Sequence, residues 1–161
     1  MAKKKNSETL ATQWLRKNHI EFSEHPYDYE AKGGANDAAK KLGVDPYITV
    51  KTLIMEDEKK QPLIVLMHGN HEVSTKNLAR QTGAKNIQPC TPETAQRHSG
   101  YLVGGTSPFG TRKKMPIWVQ ASILDLESIY INGGKRGLLL KIKSKVLTES
   151  LQAKRVDVAL D

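Results

Sequence analysis

Two neighbouring runs set the pattern of this chain: VKTLIMED from Val50 and PLIVLMHG from Pro62, joined by the charged turn Asp57–Gln61. Both are rich in apolar and β-branched residues, and they predict two antiparallel strands. A strand over Val50–Met55 puts Val50, Thr52 and Ile54 on one face and Lys51, Leu53 and Met55 on the other. Helical spacing of Leu10, Ala11, Trp14 and Leu15 predicts a helix running to about Asn18, with Ser7 as its cap. DAAKKL closed by Gly43, TKNLARQ between Ser74 and Gly83, and the segment from Pro92 to His98 predict further helices. SKVLTESL predicts a closing helix capped by Ser144. NIQPC, PIWVQA, SIYIN and GLLLKI read as strands, SILDLE as a short helical turn, and Ile20–Tyr29 as extended chain broken at Pro26. AKRVDVALD at the C-terminus has no clear pattern. Strands often follow strands directly, so the fold class is α+β on a mixed, mostly antiparallel sheet.

The 161 residues contain no repeat or convincing linker, which predicts one domain over 1–161, with residues 1–6 a mobile basic tail. The net charge of +8 favours an anionic partner such as nucleic acid or a phosphorylated ligand. A single cysteine, Cys90, excludes an internal disulfide and points to a reducing compartment. No apolar run approaches the length of a membrane span, and MAKKKNSETL lacks the apolar region of a secretory signal. The cytoplasm is the expected location, with no membrane partner.

Candidate chemistry lies in two glycine turns and one lysine. GYLVGGTSPFGTRKKMP, residues 100–116, reads as a strand, an irregular loop and a second strand, with Arg112, Lys113 and Lys114 beside the glycines. Glycines let a backbone approach a ligand closely, and such loops carry binding groups; a hairpin loop with a solvated charge run is the plainer alternative. Asn132-Gly133-Gly134-Lys135-Arg136-Gly137 repeats the theme, and an ordinary hairpin turn is again the plainer reading. Neither turn is a P-loop or a dinucleotide fingerprint. Lys51 on an apolar strand face must reach solvent, lose its charge, or meet an anion. His68 and His71 lack metal-ligand companions such as CxxC or HExxH, so neither a metal nor a cofactor is expected. A Cys90–His98 nucleophile pair has no activating signature, and no G-x-S-x-G occurs. Catalysis in such a chain would rest on positioning, backbone donors and a cation.

VKTLI after KKLGVDP, GYLVGGTSPFG followed by basic residues and MP, and INGGKRGLLL together resemble the YbaK/EbsC family. These are trans-editing aminoacyl-tRNA deacylases related to the inserted editing domain of bacterial prolyl-tRNA synthetases. The resemblance runs from about Leu10 to Leu151. It implies a YbaK-like, curled and barrel-like sheet surrounded by helices, and a pocket for the aminoacylated 3′ end of tRNA. The implied reaction is hydrolysis of the ester of a mischarged tRNA, of the Cys-tRNA(Pro) type or with another small amino acid. Lys51 matches the family's essential lysine. Gly104 and Gly105 match its glycine loop, with Thr106 and Ser107 beside them facing the ester. Tyr27 matches an aromatic position, and Asn132 and Gly133 stand at the second glycine turn. Arg112, Lys113, Lys114, Lys135 and Arg136 would then meet the tRNA backbone. Aminoacylated tRNA is the implied partner, with an aminoacyl-tRNA synthetase as a possible second.

Two departures bear on specificity. Asn132 stands where cysteine-specific members commonly have serine, and Leu138-Leu139-Leu140 occupies a position where they commonly have aspartate. These changes also motivate a second reading, a non-catalytic tRNA-binding module. A small-molecule hydrolase using the same pocket is a third.

Overall fold

The computed structural model describes residues 8–160. The basic tail and the cap expected at Ser7 lie outside them. Five helices are α1 (Leu10–Lys17), α2 (Gly34–Leu42), α3 (Thr75–Thr82), α4 (Pro92–Ser99) and α5 (Val146–Glu149). The strands are β1 (Ser23–Pro26), β2 (Thr49–Asp57), β3 (Pro62–His68), β4 (Glu72–Val73), β5 (Ile87–Pro89), β6 (Ile117–Gln120), β7 (Ser128–Asn132), β8 (Leu138–Lys143), β9 (Lys154–Val156) and β10 (Ala159–Leu160).

Local signals set most boundaries. Thr9 caps α1 through a reciprocal pair with Thr12, at 3.0 and 2.9 Å. Ser74 and Thr91 cap α3 and α4, and Gly43, Gly83 and Gly100 close α2, α3 and α4 with positive φ. β2 and β3 pair antiparallel from Val50↔His68 to Glu56↔Pro62. Asp57 fixes their turn by accepting from the N–H groups of Lys59 and Gln61.

The main sheet runs β1-β8-β7-β2-β3-β6-β9, with β5 also on β2, while β10 and β4 form a separate pair. Pairings β1–β8, β7–β8, β2–β3 and β2–β5 are antiparallel; β2–β7, β3–β6 and β6–β9 are parallel. The sheet is open rather than barrel-like: β1 and β9 stand at its two ends with one neighbour each, and no ladder joins them among the described residues. Both faces are covered, so β3 is buried along its whole length, which explains its unbroken apolar run. Ile64, Leu66, Ile131 and Leu140 pack with Ala11 and Leu15 of α1 on one side. Val65 and Met67 pack with Leu78 of α3 and Val158 on the other.

Three expectations are corrected. Tyr101–Val103 do not form a strand. Tyr101 is buried and its hydroxyl donates to the Phe109 carbonyl, while Leu102 and Val103 stand exposed at a loop tip. Ser144 does not cap α5; its hydroxyl donates to the Leu126 carbonyl. The C-terminal run supplies β9 and β10, because Gln120 holds it: its Oε1 accepts from Val158 N–H at 2.7 Å and its Nε2 donates to Asp157 at 2.9 Å.

Candidate active site

The site arises from a gap in the pairing of β2. On the side away from β3, β7 pairs with β2 only at Thr49 and Val50, and β5 only from Met55 to Asp57. Between them, among the described residues, no strand lies opposite Lys51–Leu53. Cys90 N–H donates to the Ile54 carbonyl at 3.1 Å, so Ile54 turns its backbone groups outward. Ladder alternation turns those of Thr52 the same way. A cavity of about 560 Å³ occupies this gap, reaching round both faces of β2.

Lys51, Thr106, Gly104, Tyr27 and Asn132 all line the cavity, together with Tyr29, Asp37, Thr52, Glu72 and Leu139. Lys51 is largely covered, at 19% side-chain exposure, and its Nζ lies 3.5 Å from Oε1 of the exposed Glu72. The lysine thus meets an anion on its apolar strand face. Burial raises the Tyr27 phenol above its ordinary pKa.

The two glycine turns meet through Asn132. Its Nδ2 donates to the Gly104 carbonyl at 3.0 Å and its Oδ1 accepts from Gly134 N–H at 2.7 Å. Gly104 has φ +91° and a Cβ there would sit 2.6 Å from the Tyr29 hydroxyl, so both conformation and space require glycine. Arg136 locks the same corner, donating from Nε to the Val103 carbonyl at 2.9 Å and standing 5.2 Å from the Tyr29 ring centre. Among the described residues no group accepts from the N–H of Gly104 or Thr106, which leaves two backbone donors at the cavity wall.

Gly105, Ser107 and Gly133 do not line the cavity. Gly105 packs on the Lys135–Arg136 backbone and donates its N–H to the Leu102 carbonyl at 2.8 Å. Ser107 is fully buried and accepts from Phe109 N–H at 3.2 Å. The Gly133 carbonyl accepts from Thr9 Oγ1 at 2.5 Å, tying the second turn to α1. These three shape the loops from behind. Arg112, Lys113, Lys114, Lys135 and Arg136 are all exposed outside the cavity, but Arg136 is committed to the loop contacts above.

Other candidates separate from the site. Cys90 lines the cavity, but burial and then the neighbouring Glu56 push its thiol up to about 11, so it is not a thiolate nucleophile near neutrality. His68 is buried, donating from Nδ1 to the Tyr47 carbonyl at 2.6 Å and accepting at Nε2 from Ser122 at 2.7 Å. Among the described residues no group of three His, Cys, Asp or Glu is placed to hold a metal. None of the helices described there is long and apolar enough to cross a membrane. Tyr29, Thr52, Asp37 and Glu72 escaped the sequence reading; only the aromatic at Tyr29, two residues after Tyr27, offered any signal.

Comparison with known proteins bears on the family and the fold. Residues 30–150 match the family model described as the aminoacyl-tRNA editing domain. EbsC of Enterococcus faecalis, provisionally named a Cys-tRNA(Pro)/Cys-tRNA(Cys) deacylase, is 27% identical over 149 residues, covering 91% of each chain. A proline–tRNA ligase of Levilactobacillus brevis is 30% identical over 95 residues, covering 59% of this chain and 16% of the ligase. A solved structure described as a provisional trans-editing enzyme for prolyl tRNA synthetase superposes with a TM-score of 0.81 at 22% identity, covering 94% of this chain and 96% of the other.

Proposed function

This chain belongs to the aminoacyl-tRNA editing-domain family, and on that premise we propose that it is a trans-acting deacylase that hydrolyses the ester of a mischarged tRNA. The substrate is a prolyl or related tRNA carrying a small wrong amino acid, cysteine or alanine in size. The chain acts as one editing unit in the cytoplasm, alongside an aminoacyl-tRNA synthetase. The observation that carries this reading is the convergence of Lys51, Gly104, Thr106 and Asn132 on one cavity at the break in the sheet.

Each group has a part. The Lys51 ammonium exchanges Glu72 for a terminal phosphate or ribose oxygen and so sets the position of the ester. As the carbonyl is attacked its oxygen gains negative charge, and the N–H groups of Gly104 and Thr106 stabilise it. Asn132 holds the Gly104 peptide in register and does not need to touch the substrate. The attacking group is water, the neighbouring ribose hydroxyl or the substrate's own side chain; Cys90 is not required. Exposed Arg112, Lys113, Lys114 and Lys135 bind the acceptor-stem backbone in a salt-dependent manner.

The test is release of free amino acid from a panel of mischarged tRNAs, with Lys51→Ala as control. Ester loss with wild type and at least 100-fold slower loss with the variant is expected. No loss from any tRNA, or equal loss with the variant, refutes the proposal. A second reading, a tRNA-binding module without turnover, is favoured by Leu139, which places an apolar side chain in the cavity where an aspartate is common. It predicts salt-sensitive tRNA binding with no release of amino acid.

A further inference from the structure

Thr52 combines three features found nowhere else in the cavity. Its Oγ1 is the one buried side-chain oxygen or nitrogen among the described residues with no hydrogen-bond partner. Its backbone N–H and C=O point into the gap where β2 has neither β7 nor β5 opposite. It also lines the cavity directly beside Lys51. Buried hydroxyls are normally satisfied, so one with no protein partner on a residue that lines a cavity calls for an explanation, and a ligand group is one. The same holds for an unpaired stretch of strand backbone.

Building on the deacylase reading, we infer that Thr52 is a positioning residue that receives the α-ammonium of the aminoacyl group. An ammonium offers three donors and needs acceptors. Thr52 supplies two, its hydroxyl oxygen and its main-chain carbonyl. Lys51 is one residue away on the opposite face of β2. An ester whose phosphate or ribose end is held by Lys51 would therefore cross the strand edge and present its amino group to Thr52. A threonine at this position thus separates a free aminoacyl ester from one whose amine is blocked. Peptidyl or N-acylated tRNA would be disfavoured, because its uncharged amide offers one N–H where the ammonium offers three.

The experiment reads binding rather than turnover. A cytidylyl-adenosine dinucleotide carrying alanine through a non-hydrolysable 3′-amide is titrated by NMR, beside its N-acetylated counterpart. Wild type is expected to prefer the free amine by about tenfold or more, the range of a hydrogen bond to a charged group. Thr52→Val keeps the side-chain shape and the main-chain carbonyl but removes the hydroxyl, and should cut that preference by about fivefold. Thr52→Ser should retain it. Because the hydroxyl has no protein partner, Thr52→Val is expected to melt at or above the wild-type temperature, so a loss of binding is not a loss of fold. Equal preference in wild type and Thr52→Val, or no preference in wild type, overturns the inference. Hydrolysis of mischarged tRNA with an unchanged Thr52→Val preference would sink this role and leave the deacylase standing. A reduced preference without any hydrolysis would do the reverse.

Discussion

Asn132 Nδ2 donates to the Gly104 carbonyl at 3.0 Å, across 28 residues of sequence, while its Oδ1 receives the Gly134 N–H. One amide therefore couples the two glycine turns and sets the direction of the Gly104 peptide. Asn132→Ala removes both bonds but leaves Lys51 in place. We predict that kcat falls about tenfold, from one to two lost hydrogen bonds, while KM changes little. Asn132→Asp should be at least as poor, since a carboxylate cannot donate to a carbonyl. Steady-state deacylation kinetics on the best substrate of the panel decide this; a rise in KM alone would mean that Asn132 binds substrate directly.

Gly104→Ala attacks the same peptide from its other side. A left-handed alanine costs about 1–2 kcal/mol, and its methyl group collides with the Tyr29 hydroxyl. The loop tip is exposed, so the thermal midpoint should drop by only roughly 2–8 °C. If the Gly104 N–H serves the ester oxygen as proposed, deacylation should be lost. Calorimetry and single-turnover hydrolysis on one preparation check both halves, and near wild-type hydrolysis would remove Gly104 from the oxyanion role.

The elements most legible in the sequence were those whose signals are local. Asp57 at the β2–β3 turn, Ser74 and Gly83 around α3, and Pro92 opening α4 act on backbone within a few residues, so pattern alone located them. Tyr101–Val103 misled because an apolar triplet looks the same whether it pairs in a sheet or splits between a buried Tyr101 and an exposed tip. β9 escaped because its partner β6 is over thirty residues away and parallel to it. The site was legible only in part. Lys51 stood out on an apolar face, but the cavity comes from where β7 and β5 leave β2, a property of three separated segments. Thr52 and Glu72 gain their significance from that gap and have no signature of their own.

Glu72 competes for Lys51 in the free protein. The pair is 3.5 Å long and Glu72 is 82% exposed, so it is worth at most about 1 kcal/mol. Glu72→Gln should tighten tRNA binding by about two- to threefold at low ionic strength, with the gain fading as salt screens the charge. Filter binding across a salt series checks it. Weaker binding by Glu72→Gln would show that the carboxylate aids the substrate rather than displacing it.

Cys90 is expected to be chemically quiet despite lining the cavity. With its thiol pushed up to about 11 by burial and by Glu56, its thiolate fraction at pH 8 is roughly 100-fold below that of an ordinary thiol. Alkylation by iodoacetamide should be correspondingly slow, and Glu56→Gln should speed it. Cys90→Ser should retain deacylation, and loss of activity in that variant would return the cysteine to the mechanism. Since the folded thiol holds its proton more tightly than the unfolded one, this group's contribution to stability is complete below the unfolded pKa and is lost as pH rises toward 11.

His68 predicts the acid limb of stability. Burial lowers its pKa, and the neutral ring is fixed between the Tyr47 carbonyl and the Ser122 hydroxyl while stacking on Tyr47 at 3.8 Å. A protonated ring could not accept from Ser122. The folded state therefore binds its proton less readily than the unfolded state. The stabilisation is present above the unfolded value near 6.5 and is lost as pH falls through the lower folded value. Urea midpoints should decline from pH 7 to pH 5 in wild type. In His68→Asn, which keeps a donor for Tyr47 but does not titrate, the midpoint should start lower and fall less over the same interval. Parallel slopes for the two proteins would assign the acid sensitivity to other groups.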